Sequence, residues 1–167
     1  MKQRKLTYSQ AIRESLHQSL DADPKVFAIG QGLWSPWYVG NSMEDLDKVF
    51  GRDRIIDSPV SENGITGIAI GAALGGMKPV VIHPRMDFML LAIDQIVNEA
   101  ANWHYMFGGR MRAPLVVRML IGRGWGQGPQ HSQGLHSLFM HIPGLKVVAP
   151  ATPYDAKGCM VESIRDG

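Results

Sequence analysis

Glu62 has the sequence surroundings best suited to acid–base chemistry. It follows a short predicted strand, Arg54–Asp57, and a tight turn at Pro59, and it begins a glycine- and alanine-rich segment. A helix dipole stabilises a carboxylate in the first turn, whereas burial among apolar groups opposes ionisation. Its proton affinity can therefore be tuned in either direction. The alternative is an ordinary N-terminal helix charge without a task, and the pattern alone leaves both open.

His131 is the histidine best placed for proton transfer. It lies at the exit of a glycine-rich loop, Gly122–Gly128, and imidazole titrates near neutral pH. His131, His136 and His141 are five residues apart, which on a helix would rotate successive side chains by roughly 140°. We therefore expect no three-histidine metal site. The usual zinc patterns are also missing, and we interpret the other histidines as packed or surface residues.

The same glycine loop resembles a phosphate cradle only superficially. After Gly122 and Gly124 the sixth position of the dinucleotide pattern is Gln127, and the Lys-Ser/Thr pair of a P-loop is absent. Arg118 lies on the predicted strand before the loop, but one arginine does not supply the missing phosphate-binding pattern. We interpret the loop as a mobile or closely packed segment.

Alternating strands and helices must position these residues. Thr7 and Gln10 form a capping box for the first helix. The predicted helices reach from Thr7 to about Leu20, from Ser42 to Gly51, and over Glu62–Gly76, Phe88–Met106, Ser132–His141 and Asp155–Asp166. The predicted strands are Val26–Ile29, Arg54–Asp57, Lys78–Ile82, Leu115–Arg118 and Lys146–Ala149. This order predicts an α/β fold with three layers, α/β/α, around a mostly parallel sheet, with ligands beyond the carboxyl ends of the strands.

Composition excludes several classes of function. The chain has 167 residues, with 17 Lys plus Arg against 15 Asp plus Glu, and these scattered charges give no footprint for nucleic-acid binding. The longest apolar stretch, Ile65–Met77, is too short for membrane insertion. Cys159 is the only cysteine, so we expect a cytoplasmic protein without internal disulfides. The aromatic cluster Trp34, Trp37 and Tyr38 in an irregular loop suggests a partner surface.

Several stretches together resemble one family, the beta subunits of the thiamine-diphosphate-dependent 2-oxo acid dehydrogenases of pyruvate and branched-chain type. The matching segments lie between about residues 50 and 166 in the family's order and spacing. They are Arg54–Glu62, Gly67–Ala73, Asp87-Phe88, Ala92–Ala101, Tyr105-Met106, His131–Gln133, Pro143–Val148 and Asp155–Gly158.

The resemblance implies roles for three residues. Glu62 would hydrogen-bond a ring nitrogen of the cofactor's aminopyrimidine and favour the imino tautomer, whose basic nitrogen removes the thiazolium proton. Phe88 would pack on the pyrimidine ring. His131 would assist acyl transfer to a lipoyl group.

The resemblance also implies partners and ions. An alpha subunit would hold the diphosphate of thiamine diphosphate and its Mg²⁺, a second beta subunit would complete a heterotetramer, and a lipoyl acyltransferase would accept the acyl group from a small 2-oxo acid. Carbonyl groups of two segments could hold a monovalent cation such as K⁺. These segments contain the candidate ligands Ala113, Leu115, Val116, Ser163 and Asp166.

Two departures from the family pattern leave the substrate open. Gly30–Leu33 stands where the family usually has Gly-Glu-Asp, and Ile82–Arg85 replaces a stretch of apolar and acidic residues. Residues 1–167 correspond to one pyrimidine-binding domain, and the second, C-terminal transketolase-like domain of the family is not in this sequence. The sequence is therefore a fragment, or the remainder lies on another chain. The alternatives are a transketolase-type or other thiamine-dependent carbon–carbon enzyme, and a non-catalytic assembly domain.

Overall fold

The computed structural model describes residues 4–122 and 126–166. The α-helices are α1 (Tyr8–Ala22), α2 (Leu46–Phe50), α3 (Glu62–Leu74), α4 (Met86–Met89), α5 (Asn102–Met106) and α6 (Pro153–Asp166). The strands are β1 (Val26–Gln31), β2 (Ile55–Ser58), β3 (Lys78–His83) and β4 (Val116–Met119). Short 3₁₀-helices cover Tyr38–Asn41, Leu90–Ala92, Pro129–His131 and His136–Leu138, and a π-helix covers Gln95–Ala101.

The described strands form one parallel sheet in the order β2-β1-β3-β4. Alternate strand residues point to opposite faces. Val80 and Ile82 of β3 pack on the side of α1 and α6, whereas Val81 packs on the side of α3. The sheet therefore lies between two helical layers, which confirms the predicted α/β/α fold.

Local signals predicted the start of α1 correctly. The Thr7 hydroxyl accepts from the backbone N–H of Gln10 at 3.2 Å, and the Gln10 side chain accepts from the backbone N–H of Thr7 at 2.9 Å. These bonds satisfy two donors that a helix start leaves open. The helix continues to Ala22, slightly beyond the predicted end.

Two other predicted helices differ in detail. Ser42 was expected to begin a helix, but its hydroxyl donates to the carbonyl of Val39, and α2 begins only at Leu46. The predicted helix Phe88–Met106 is present as a longer helical stretch from α4 to α5. Its winding changes from α to 3₁₀ to π and back to α.

Two predicted elements are wrong. Residues 132–141 contain no α-helix but only the 3₁₀-turn His136–Leu138, because the segment is held by side chains of α4 rather than by its own ladder. Lys146–Ala149 is not a strand, and it is exposed along its length. An apolar run becomes a strand only when it finds a ladder partner, and none of the described strands pairs with this run.

None of the helices in the described part of the chain is both long and apolar enough to cross a bilayer.

Candidate active site at the sheet switch point

The order in which successive strands are added to the sheet reverses between β1 and β3. The chain continues from β1 to β2 on one side and from β3 to β4 on the other. In open parallel sheets the crevice at such a point, beyond the carboxyl ends of the strands, is the usual ligand site. Here it lies at Gln31 and His83.

Glycines allow the loop after β1 to fold tightly over this crevice. A Cβ on Gly30 would lie 2.3 Å from the carbonyl oxygen of Ile82. Gly32 has φ +71°, and a Cβ there would lie 2.2 Å from the ring of Tyr38. Both positions therefore require glycine, and the Tyr38 ring lies directly over the turn.

Glu62 begins α3 next to the crevice and is buried, with 5% of its surface exposed. Its first-turn position agrees with the sequence, because Pro59 follows the end of β2 and Ser61, a residue type common before helices, is the N-cap of α3. Its backbone carbonyl accepts a hydrogen bond from the Thr66 hydroxyl at 2.7 Å. The predicted position of this carboxylate at the head of α3 is thus confirmed, while its catalytic role stays a prediction.

Thr66 connects Glu62 to a buried histidine that the sequence did not single out. The Thr66 hydroxyl lies 3.3 Å from Nε2 of His83, and both residues are completely buried. Since the Thr66 proton is donated to Glu62, the hydroxyl must accept from Nε2–H of His83. His83 is therefore the Nε2–H tautomer. Burial lowers the pKa of His83 to about 4, so it is neutral at physiological pH.

Tyr38 lies within electrostatic range of charged groups on three different elements of the fold. Its hydroxyl accepts from the Gln31 side chain at 3.3 Å. Burial raises the pKa of Tyr38; the Arg85 cation opposes this rise, and the carboxylates of Glu62 and Asp57 add to it. Glu62 and Arg85 therefore act on the same hydroxyl across the crevice.

Phe88 and His131 are in direct contact. Their ring centroids are 5.0 Å apart and the rings are perpendicular, an edge-to-face geometry that favours aromatic pairs. Asp87 accepts from the backbone N–H of Gln133 at 3.2 Å and from its side-chain amide at 2.8 Å. The first turn of α4 thus holds the segment that carries His131.

The two ends of the glycine loop also meet at this place. A Cβ on Gly122 would lie 1.7 Å from the carbonyl oxygen of His131, so only glycine fits. Within the loop, Arg85 donates to the side chain of Gln127 at 2.8 Å. Residues 123–125 of the predicted loop lie outside the described residues.

A cleft of about 1310 Å³ opens beside β4. Tyr38, Arg85, Phe88 and His131 line it, and the segment 144–150 forms part of its wall. The structure therefore brings Phe88 and His131 together on this cleft, whereas Glu62, at the head of α3, is not among the described residues that line it.

Arg118 also lines this cleft, from the face of the sheet that packs against α1 and α6. It pairs in register with Ile82, whose side chain packs towards α1 and α6. One guanidinium nitrogen, Nη1, is buried without a partner among the described residues, and burial lowers the pKa of Arg118 to about 10. It remains a cation at neutral pH.

The two segments predicted to hold a monovalent cation lie side by side. A cavity of only about 10 Å³ is lined by Leu115, Val116 and Ser163, and also by Lys78. The Lys78 ammonium is paired with Asp23 at 3.1 Å. Asp166 is exposed and paired with Lys146, and Ala113 lines the larger cleft instead. In residues 4–122 and 126–166 no group of three or more His, Cys, Asp or Glu side chains could hold a metal.

Residues 4–167 match the family described as transketolase, pyrimidine binding domain. The chain belongs to this family. The pyrimidine-binding domain is 43% identical, over 98% of the chain, to the beta subunit of an acetoin:2,6-dichlorophenolindophenol oxidoreductase of Cupriavidus necator, and 37% identical, also over 98%, to that of Bacillus subtilis. It is 40% identical, over 96% of the chain, to the pyruvate dehydrogenase E1 component subunit beta of Rickettsia conorii.

These matches confirm the resemblance to beta subunits. The alignments cover 51%, 51% and 49% of the Cupriavidus, Bacillus and Rickettsia proteins. The domain therefore spans about half the length of the curated relatives it matches.

Sequence reasoning missed four residues of this site, and it did not name one of them, Thr66, at all. Tyr38 was interpreted as part of a partner surface, His83 as an ordinary packed residue, and Asp87 only as part of a motif. His83 lies within the departure Ile82–Arg85, which is the one signal that pointed to it. No pattern in the sequence indicates the contacts of Tyr38 and Asp87, because their partners are distant along the chain.

Proposed function

We propose that the chain supplies the pyrimidine half of the cofactor site in the beta subunit of a thiamine-diphosphate-dependent 2-oxo acid dehydrogenase. The observation that carries this proposal is the buried carboxylate of Glu62 at the head of α3, beside the switch point of the sheet. The family match and the beta-subunit names of the relatives support it. All of residues 1–167 belong to this domain in the proposal.

The residues present fit an aminopyrimidine. Glu62 is a buried acceptor that an N–H of the heterocycle can satisfy, and Phe88 offers a ring face on the cleft. When bound, thiamine diphosphate supplies the carbon centre that attacks a carbonyl and stabilises the resulting negative charge. Glu62 holds the proton at the ring nitrogen, and the buried, weakly polar surroundings strengthen that hydrogen bond. Tyr38 closes the crevice above Gly32.

His131 serves the second half of the proposed reaction. In reductive acylation the substrate carbon is oxidised to the acyl level, and its two electrons break the S–S bond of the lipoyl group. One sulfur forms the bond to the acyl carbon and the other takes up a proton. An imidazole on the open cleft can donate that proton, and the contact with Phe88 keeps it near the cofactor ring.

Partners would complete the site. An alpha subunit would hold the diphosphate and Mg²⁺. The outer face of α3 fits such a partner, because a Cβ on Gly67 or Gly71 would meet nothing within 4 Å and Ile68 beside them is 62% exposed. A second beta subunit and a lipoyl acyltransferase complete the proposed assembly. We keep K⁺ near Leu115 and Ser163, and a cytoplasmic location, as parts of this proposal.

A second candidate substrate comes from the comparisons. Two relatives carry the name of an acetoin oxidoreductase, so a 2-hydroxy ketone is the alternative to a 2-oxo acid. Either substrate presents a carbonyl carbon to the same reactive carbon of the cofactor.

The test is reconstitution. The chain, expressed within its beta subunit together with the alpha subunit, is titrated calorimetrically with thiamine diphosphate and Mg²⁺. It is then assayed with pyruvate, branched 2-oxo acids and acetoin in the presence of lipoyl protein. We expect cofactor binding and acylated lipoyl protein with at least one substrate. Absence of cofactor binding by the assembled complex would overturn the proposal, and a carbon-ligation product without lipoyl acylation would favour the transketolase-type alternative.

A further inference from the structure

Asp87 is a buried carboxylate to which the proposed function gives no task. It lies in the first turn of α4 with 6% of its surface exposed. One carboxylate oxygen, Oδ1, accepts two hydrogen bonds from Gln133, at 3.2 Å from the backbone N–H and at 2.8 Å from the side-chain amide. The other oxygen, Oδ2, is buried without a partner among the described residues.

These bonds join two parts of the chain that meet at the cleft. Gln133 follows His131 by two residues, and Phe88, the neighbour of Asp87, contacts the His131 ring. The turn is itself anchored, since the backbone N–H of Met86 donates to the carbonyl of Leu120 at 2.8 Å. The short helix α4 therefore both holds the segment of His131, through Asp87, and carries Phe88, whose ring contacts the imidazole.

His131 lies in a segment with little helical structure of its own to orient it. The segment 126–136 contains only the short turn Pro129–His131 and the start of a second one. Nδ1 of His131 is buried and has no hydrogen-bond partner among the described residues. The imidazole is thus oriented by its backbone and by Phe88. Two side chains of α4 hold this part of the backbone: Asp87 accepts from Gln133, and Met86 accepts from the backbone N–H of Leu135.

We propose that Asp87 is a positioning residue that sets the imidazole of His131 for acyl transfer, acting through its two hydrogen bonds to Gln133. The proposal rests on the proposed function, because it assumes that His131 acts in the transfer to the lipoyl group. It also predicts that the acceptor atom of Asp87 matters and that its negative charge does not.

The variant Asp87→Asn separates these two properties. An asparagine keeps a carbonyl oxygen that can accept both bonds from Gln133, but it has no charge. Asp87→Ala removes the acceptor as well. Gln133→Ala removes only the side-chain donor and leaves the backbone bond. If instead the bare Oδ2 acted directly on His131 or on substrate, Asp87→Asn would be as defective as Asp87→Ala.

The experiment uses the assembled alpha–beta complex and measures two rates. One is acylation of lipoyl protein, and the other is decarboxylation with an artificial electron acceptor, which does not need the transfer step. We expect Asp87→Ala to lower lipoyl acylation about 100-fold, as a misplaced catalytic group does, and Gln133→Ala to lower it about tenfold. Both should keep the dye-linked rate and the affinity for thiamine diphosphate. Asp87→Asn should retain both rates within a factor of about three.

The outcomes separate the two proposals. Wild-type complex without lipoyl acylation, or His131→Ala with normal acylation, overturns the proposed function of His131 and this inference with it. If His131→Ala is defective but Asp87→Ala is normal, only the inference fails. Equal loss in both assays for Asp87→Ala, or a defective Asp87→Asn, also overturns it. Asp94→Ala is the matched control, since Asp94 is an exposed acid on the same helical stretch, where it accepts a hydrogen bond from Asn98.

Discussion

Nε2 of His83 lies 3.3 Å from the hydroxyl of Thr66, at a point where both side chains are completely buried. Because that hydroxyl donates to the carbonyl of Glu62 at 2.7 Å, the imidazole must be the donor in this contact. Through these two hydrogen bonds, Thr66 connects the first turn of α3 to His83 at the carboxyl end of β3. The position of Glu62 therefore depends on a polar contact across the core as well as on the local helix start.

Removing the Thr66 hydroxyl should destabilise the domain. Thr66→Val keeps the shape but leaves Nε2–H of His83 buried without an acceptor, which costs about 1–3 kcal/mol. Thr66→Ser keeps the acceptor and loses only a methyl group, at about 1 kcal/mol. Denaturant unfolding measures both free energies. Equal losses for the two variants would show that packing, and not the hydrogen bond, stabilises this point.

His83 should make the domain sensitive to acid. Burial lowers its pKa to about 4 in the folded state, against about 6.5 when the chain is unfolded. Between these values the unfolded state binds a proton that the folded state does not, so stability is lost as the pH falls from about 6.5 to about 4. The loss from this group is about 3 kcal/mol.

Unfolding free energies at several pH values test this expectation. His83→Phe, which has similar volume and cannot titrate, should flatten the pH dependence in that range. His141→Gln changes an exposed histidine and should leave the slope as it is. A slope unchanged by His83→Phe would contradict the assignment.

Glu62→Gln should abolish most cofactor-dependent turnover. The amide cannot hold the ring proton of the aminopyrimidine as a carboxylate does, and removal of an acid–base group typically costs 10²–10⁴-fold, so we expect a loss of at least about 100-fold. The thermal unfolding midpoint should change little. Glu162→Gln, on the exposed side of α6, is the control. Turnover near the wild-type rate with Glu62→Gln would remove the proposed role.

Gly67→Leu should block assembly without unfolding the domain. A Cβ at Gly67 meets nothing within 4 Å in the isolated chain, but a partner that packs on the outer face of α3 would collide with the larger side chain. Gly158→Leu on α6 is the matched control, since Gly158 is equally open. Sedimentation of complexes co-expressed with the alpha subunit gives the result. Normal assembly of Gly67→Leu would exclude this face from the interface.

Elements with strong local signals were predictable from the sequence. The capping box of Thr7 and Gln10 needs only residues three apart, and the turn at Pro59 indicates where β2 ends and α3 can begin. The alternation of apolar strands and amphipathic helices also predicted the layered fold. In each case the interactions that decide the structure are between near neighbours.

Elements that depend on distant partners were mispredicted. Lys146–Ala149 has the composition of a strand, but it remains exposed because no neighbouring strand pairs with it. Residues 132–141 were predicted to form a helix, yet the hydrogen bonds that Asp87 and Met86 accept hold Gln133 and Leu135 in another conformation. Pairing and anchoring across the fold outweigh weak local preference.

The amino-acid order by itself determined that Glu62 would open a small-residue helix after a short strand, that Phe88 would lie near the start of a helix, and that His131 would follow a glycine-rich loop. Only the tertiary structure decided which strands are neighbours, and hence that the crevice lies between Gln31 and His83. It also decided that Tyr38, Thr66 and Asp87 support the site. The physical reason is that hydrogen bonds and burial between residues far apart in the chain exist only after the sheet order has brought them together.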